Sequence, residues 1–203
     1  MTFEFSRRRV LAALLVVGAS THASATGATA GDGDGARDRR MSRVDPTFGV
    51  GEIHVSLADR RLYYVRSRSE AISYPIATPR DQDMWTGSEV VTRKMVNPPW
   101  RPTPTMMREN PRLPTYVPGG HQYNPMGARA LYLGNTYYRI HGTDAPWLIG
   151  ENISKGCIRM HDEHVIELFD GTRIGARVVV VKGSLAGNAG GSTAAAKHEM
   201  NGP

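Results

Sequence analysis

Apolar and polar positions alternate along residues 51–57, 61–66 and 71–78, three short stretches rich in β-branched residues and tyrosine. That period of two predicts strands. In the first of them Ile53, Val55 and Leu57 share one face, with Glu52, His54 and Ser56 on the other. Ala58-Asp59-Arg60 reads as the turn joining the first two strands. Further strands are predicted at residues 89–95, 128–133, 137–141 and 177–181. The last is an unbroken valine run of the kind buried on both faces. Gly134-Asn135 fits a two-residue hairpin turn, in the reverse of the favoured order. The period changes to a helical one over residues 162–169: Val165, Ile166, Leu168 and Phe169 form an apolar stripe, Asp162 is placed as N-cap and Gly171 as the stop. The expected fold is mainly β, a sandwich or barrel with one or two short helices.

The pattern fails in three places. Eight of the thirteen prolines fall within residues 96–125, a density no strand interior holds. A loop of that length within a small domain is expected to act as a lid over a site. Residues 26–47 are rich in Gly, Asp and Arg, and residues 183–203 lack aromatics; both are expected to be disordered. Residues 48–182 are left as one folded domain, without internal repeats and without a second module for holding a polymer.

The N-terminus has its own logic. Arg7-Arg8-Arg9 precedes an apolar run beginning at Val10, and small-residue cleavage sites follow at Ala23-Ser24-Ala25 and Ala28-Thr29-Ala30. Residues 1–25 are expected to be an export signal, of twin-arginine or general secretory type, removed to leave a periplasmic protein. The run falls short of the roughly 20 residues of a membrane span, so no membrane span is expected.

Composition then narrows the partners. The whole chain carries a formal charge of +6, and without residues 1–25 it has 22 basic and 18 acidic side chains. A mildly basic exported protein meets acidic envelope polymers, and nucleic acid is not an expected partner. Cys157 is the single cysteine. In an oxidising compartment a thiol that cannot pair within its own chain is either buried and inert or kept reactive.

The surroundings of Cys157 favour a reactive thiol. Strand alternation puts Tyr137, Arg139 and His141 on one face of a strand that Gly142 ends. A connection of about a dozen residues then returns the chain to Ser154-Lys155-Gly156-Cys157, a length that permits Cys157 to sit beside His141 without requiring it. An imidazole there accepts the thiol proton and returns it to a leaving amine, and the Gly142 carbonyl is available to orient its other nitrogen. Gly156 permits a tight turn that aims the amides of residues 155–157 at an oxyanion. Arg159 offers a bidentate fork to a carboxylate. Trp100 and Trp147 could line a groove or hold the lid down. His54 reads as structural, His121 as a lid residue near substrate, and His161 and His164 as solvent-facing residues at a helix start. With Cys157 the last two imitate a metal site, but no C-x-x-C accompanies them and no metal or other cofactor is expected.

"IHGTDAPWLIGENISKGCIRM", residues 140–160, resembles the catalytic signature of the L,D-transpeptidases, the YkuD-domain family of cell-wall enzymes. The likeness rests on His141-Gly142-Thr143, Ile149-Gly150, Ser154, Gly156-Cys157 and Ile158-Arg159-Met160. Weaker matches at "YPIAT", "NPPW", "YNPMGARALYLG" and "GTRIGARVVV" extend it over residues 48–182. The resemblance implies Cys157 as acylated nucleophile, His141 as base, Gly142 as the residue that orients the base and Gly156 as a supporting residue; from the residues themselves, Gly156 and Lys155 form the oxyanion turn. The resemblance also gives Ser154 and Arg159 supporting roles; from the residues themselves, Arg139, Tyr137 and Trp100 join them as substrate-binding candidates.

What the resemblance implies for function is thiol chemistry on peptidoglycan, in cell-wall biogenesis and cell shape. The enzyme takes a tetrapeptide stem at meso-diaminopimelate, releases D-alanine and passes the acyl group to an amine, either a second stem or an outer-membrane protein. Carbapenems are expected to acylate the cysteine. Alternatives are hydrolysis on the same fold, as an L,D-carboxypeptidase or amidase, and a non-catalytic wall-binding module. Lys155 stands where the family most often has His, which bears on acceptor recognition and local charge and leaves the Cys157–His141 pair untouched.

Overall fold

The alternating segments do form strands, and other strands appear that no pattern announces. A computed structural model describes residues 38–186; the expected export signal and most of the lead-in and tail lie outside the described residues. In chain order the strands are β1 (Arg40–Arg43), β2 (Ile53–Ser56), β3 (Arg61–Val65), β4 (Glu70–Pro75), β5 (Thr78–Pro79), β6 (Gly87–Val96), β7 (Arg129–Leu133), β8 (Arg139–His141), β9 (Asn152–Ser154), β10 (Ile158–Arg159) and β11 (Arg177–Val181). The helices are α1 (Pro104–Glu109) and α2 (Asp162–Gly171).

Nine strands make one sheet in the order β1-β4-β3-β2-β11-β6-β7-β8-β10, and β5 pairs with β9 in a separate ribbon. The sheet bends round far enough for Arg159 of β10 to exchange two backbone hydrogen bonds with Ala77, just beyond β4. It does not close. Of the expected sandwich or barrel, the mainly β architecture stands, as a bent open sheet without a closed barrel.

Ile53, Val55, Leu62, Leu131, Ile140, Val178 and Val180 fill the core inside the bend, all 0–1% exposed. Each such side chain contributes about 1.5–3 kcal/mol by leaving water. α2 lies against β7 and β8 and buries Val165 and Leu168. Central β11 runs parallel to β2 and antiparallel to β6. Its valines are not buried on both faces as expected: Val178 and Val180 face the core, while Val179 and Val181 are half-buried and line a groove on the reverse side.

Other boundaries also move. Residues 40–43, expected to be disordered, pair with β4 as an edge strand, and the buried Arg61 anchors the approach by donating to the Asp38 carbonyl at 2.6 Å. At the other end, Leu185 and Ala186 donate their amides to the Asp59 carboxylate at 2.7 and 2.9 Å, so the first residues of the expected tail are held. The β7–β8 connection is no two-residue turn. It spans residues 134–138, because the Thr136 hydroxyl donates to the Leu133 carbonyl at 2.7 Å and accepts from the Tyr138 amide at 2.9 Å, closing a longer loop. Gly171 is the last residue of α2 rather than its stop, and Thr172 caps the helix with its hydroxyl on the Leu168 carbonyl at 2.6 Å.

Candidate active site

The last four strands of the sheet carry the site on one face. Register pairs Arg93 with Tyr132, and Tyr132 with Arg139. Ile158 pairs with Ile140, so Cys157, one residue earlier, falls opposite Arg139 and ends that row. Two residues along, the next row on the same face runs Met95, Ala130, His141, Arg159. Cys157 and His141 are therefore diagonal neighbours on adjacent parallel strands, their Cα atoms roughly 8 Å apart from strand spacing and rise. Both line one cavity of about 290 Å³, together with Arg139, Arg159, Ser154 and Lys155.

His141 is 3% exposed and its Nδ1 lies 2.6 Å from the Gly142 carbonyl oxygen. A carbonyl only accepts, so Nδ1 carries the proton and Nε2 the lone pair. Burial pushes the imidazole down to about 3, helped by the Arg159 charge and opposed by its backbone contacts with Gly142 and Met126. The thiol moves the other way. Burial raises Cys157 above the ordinary thiol value, against the pull of Arg139 and Arg159. Both directions favour the uncharged forms, thiol and imidazole, over a standing thiolate–imidazolium pair.

Backbone contacts fix the turn. The Ser154 hydroxyl donates to the Cys157 carbonyl at 2.5 Å, bridging the two ends of the tetrapeptide. Strand β9 delivers Ser154, and β5 holds β9 in place: Arg80 donates its amide to the Ser154 carbonyl at 3.0 Å. Gly156 has φ +113°, and a Cβ there would meet the Tyr138 ring at 2.4 Å. Its carbonyl accepts from Trp85 Nε1 at 2.8 Å, while Trp85 stacks on Tyr138 at 4.6 Å between centroids. Trp85 went unnoticed in the sequence because 71 residues separate it from its partner.

Asp162 has a different position from the one expected. His161 is the N-cap of α2, without a side-chain capping bond, and Asp162 is the first helical residue. Its Oδ1 accepts from the amides of Ala128 at 3.1 Å and Thr143 at 3.2 Å, tying the His141-Gly142-Thr143 turn to the helix. Gly142 follows from this, since a Cβ there would lie 1.9 Å from that oxygen. His161 and His164 are not solvent-facing: they are 2% and 6% exposed, pack edge to face on each other, and His164 leans on Tyr74. Among the described residues no cluster of His, Cys, Asp or Glu is placed to hold a metal.

The proline-rich segment covers the cavity with Trp100, Arg101, Thr103 and Met106. Trp100 and Val117 exchange two backbone hydrogen bonds that fold it back on itself. Its middle is α1, started by Pro104 behind a Thr103 hydroxyl that accepts from the Met106 amide at 3.3 Å. Lys155 forms an ion pair with Glu109 at the end of α1. Tyr137 and Arg139 line the cavity as alternation predicts; Trp147 is 74% exposed and lies outside it, as does His121. His54 is buried, paired with Glu52 at 2.8 Å and stacked on Phe48.

The family model of the L,D-transpeptidase catalytic domain, YkuD, matches residues 51–180. The chain belongs to that family. Among similar proteins, the "Probable L,D-transpeptidase ErfK/SrfK" of Escherichia coli K12 is 39% identical over 141 residues, 64% of this chain and 43% of that protein. The "Probable L,D-transpeptidase YbiS" of the same organism is 38% identical over 138 residues, with 62% and 43% covered. The chain thus spans less than half the length of these relatives. An L,D-transpeptidase crystal structure from Mycobacterium tuberculosis superimposes with a TM-score of 0.52 at 16% identity, over 66% of this chain and 58% of that one. The E. faecium L,D-transpeptidase catalytic domain does so at 0.50 and 20%, over 66% and 99%. These likenesses place the bent sheet in the L,D-transpeptidase fold.

Proposed function

We propose that this protein is a periplasmic cysteine acyltransferase acting on peptidoglycan stem peptides, with Cys157 as nucleophile and His141 as base. The observation that carries this reading is the shared face: sulfur and imidazole sit on neighbouring strands in one cavity, with the imidazole held in the tautomer that can accept a proton. Family membership supports transpeptidation in general.

Because the resting pair is neutral, proton transfer accompanies attack. Cys157 Sγ bonds to the carbonyl carbon of diaminopimelate as its proton passes to His141 Nε2. Backbone amides at the Gly156-Cys157 turn face the oxyanion, where one such donor is worth about 3 kcal/mol of barrier. The carbonyl re-forms, the amide C–N bond breaks, and the His141 proton leaves on the D-alanine amine. An incoming amine then loses its proton to His141, attacks the thioester and releases the thiol. Arg159 lines the same cavity, its guanidinium lowered by burial, and offers a fork to a substrate carboxylate.

Replacing Cys157 with Ala is expected to abolish D-alanine release from a tetrapeptide stem and the mass adduct left by a carbapenem. Undiminished release would overturn the assignment. Product masses separate the acceptors: tripeptides mark water, dimers a second stem, and peptide-bearing protein an anchored partner such as an outer-membrane protein.

A further inference from the structure

The row that ends at Cys157 carries more positive charge than one carboxylate needs. Arg93 and Arg139 both lie against the ring of Tyr132, their guanidinium carbons 3.8 and 4.8 Å from its centroid. A guanidinium stacked on a ring uses its flat face and keeps its in-plane N–H donors for a carboxylate. Arg139 spends one of them, Nη1, on the Tyr137 carbonyl at 2.6 Å, which fixes the plane. Among the described residues neither guanidinium has a carboxylate partner, and the cavity lining contains no Asp or Glu. The other cations there differ in place or partner: Lys155 is paired with Glu109, Arg101 stacks on Tyr116 within the proline-rich segment and off this row, and Arg159 lies on the neighbouring row with Asp144 acting on it.

Distance narrows the ligand. Arg139 is one strand from Cys157 and Arg93 three strands away, with strands about 4.8 Å apart. In diaminopimelate the side-chain carboxyl carbon is six bonds from the attacked carbonyl, a reach of roughly 7.5 Å for a zigzag chain advancing about 1.25 Å per bond. Along the row that reach ends between the strands that carry Arg139 and Arg93, toward Tyr132, on which both guanidiniums lie. Resting on the reading above of a stem-peptide donor, we infer that Arg93 and Arg139 form a second carboxylate site, which selects donors whose attacked residue keeps a free side-chain carboxylate over donors carrying a carboxamide there.

The test uses full-length protein and two synthetic tetrapeptide stems, identical except for free acid or carboxamide on the diaminopimelate side chain. Binding to the Cys157→Ser protein is followed by titration calorimetry, and D-alanine release by the wild-type protein in parallel. The free acid is expected to bind about tenfold tighter, the scale of one charge-assisted hydrogen bond. Arg93→Gln and Arg139→Gln each narrow that ratio, and the double variant brings it close to one. Added salt narrows the ratio as well. Arg93 is exposed, so its replacement leaves the core intact, and circular dichroism checks the fold of each variant. Equal affinity for the two peptides, no measurable binding of either, or a ratio unchanged in the double variant would overturn the site. Preference in binding without any D-alanine release would instead overturn the transferase reading and leave the site standing.

Discussion

Lys155, two residues before the sulfur, is ion-paired with Glu109 at the end of the lid helix. The pair joins the lid to the Gly156-Cys157 turn at one point on the rim of the cavity. Because both side chains are partly exposed, 26% and 51%, its worth to global stability is small, under about 1 kcal/mol. Its effect is expected locally. Glu109→Gln should speed amide hydrogen exchange across residues 99–117 severalfold while moving the thermal midpoint by a degree or two at most. Unchanged exchange in the lid would show that the Trp100–Val117 backbone bonds hold it without the ion pair.

Burial raises the Cys157 thiol, with Arg139 opposing it through its charge and its amide. Alkylation by iodoacetamide at pH 7 should therefore be slower than for an unhindered thiol, and should climb with a midpoint above that of an ordinary thiol. Arg139→Gln removes the opposing charge and should slow alkylation at pH 7 severalfold further. A rate flat from pH 5 to 8 would mean a standing ion pair, contrary to the neutral pair described above.

The strands of residues 51–66 and the meeting of Cys157 and His141 in one cavity were legible because their signals are local: partial alternation over a few residues in one case, a compact glycine-flanked motif in the other. What escaped depends on partners far along the chain. Strand β1, Arg-Met-Ser-Arg, has neither β-branched residues nor apolar alternation, and it is a strand only because β4 offers it an edge. Helix α1 hid among prolines, although Thr103-Pro104 is itself a helix start. Trp85 under Gly156 and Asp162 beneath Gly142 hold the Cys157 and His141 turns from outside the motif, and no periodicity could have found them.

The buried imidazole gives stability a pH dependence. Burial holds His141 at about 3 in the folded protein against about 6.5 when unfolded, so between those values the unfolded chain binds a proton that the folded one refuses. Stability conferred by the neutral imidazole is complete above pH 6.5 and is lost as the pH falls toward 3, up to roughly 5 kcal/mol. His54 and His164, also lowered by burial, add slope of the same sign. His141→Gln should flatten the fall in denaturation midpoint across this window without removing it. An identical slope in the variant would mean that the imidazole titrates near its ordinary value in the folded state.

Asp162 neither lines the Cys157 cavity nor touches the sulfur, yet it sets where His141 stands. Its Oδ1 accepts from the amides of Ala128 and Thr143, and Gly142, whose carbonyl orients His141, lies between that oxygen and the strand. Asp162→Ala leaves two amides without their acceptor, each charge-assisted bond being worth about 1.5–3 kcal/mol. On the proposed function, the expected outcome is a lower denaturation midpoint together with a fall in kcat at little changed KM, because the imidazole drifts while the guanidiniums lining the cavity stay in place. Asp162→Asn keeps an oxygen acceptor and should recover most of the stability and the turnover. If Asp162→Ala lost stability but kept kcat, the turn that presents His141 would be held by β7 alone, through the Gly142 amide on the Arg129 carbonyl at 3.1 Å.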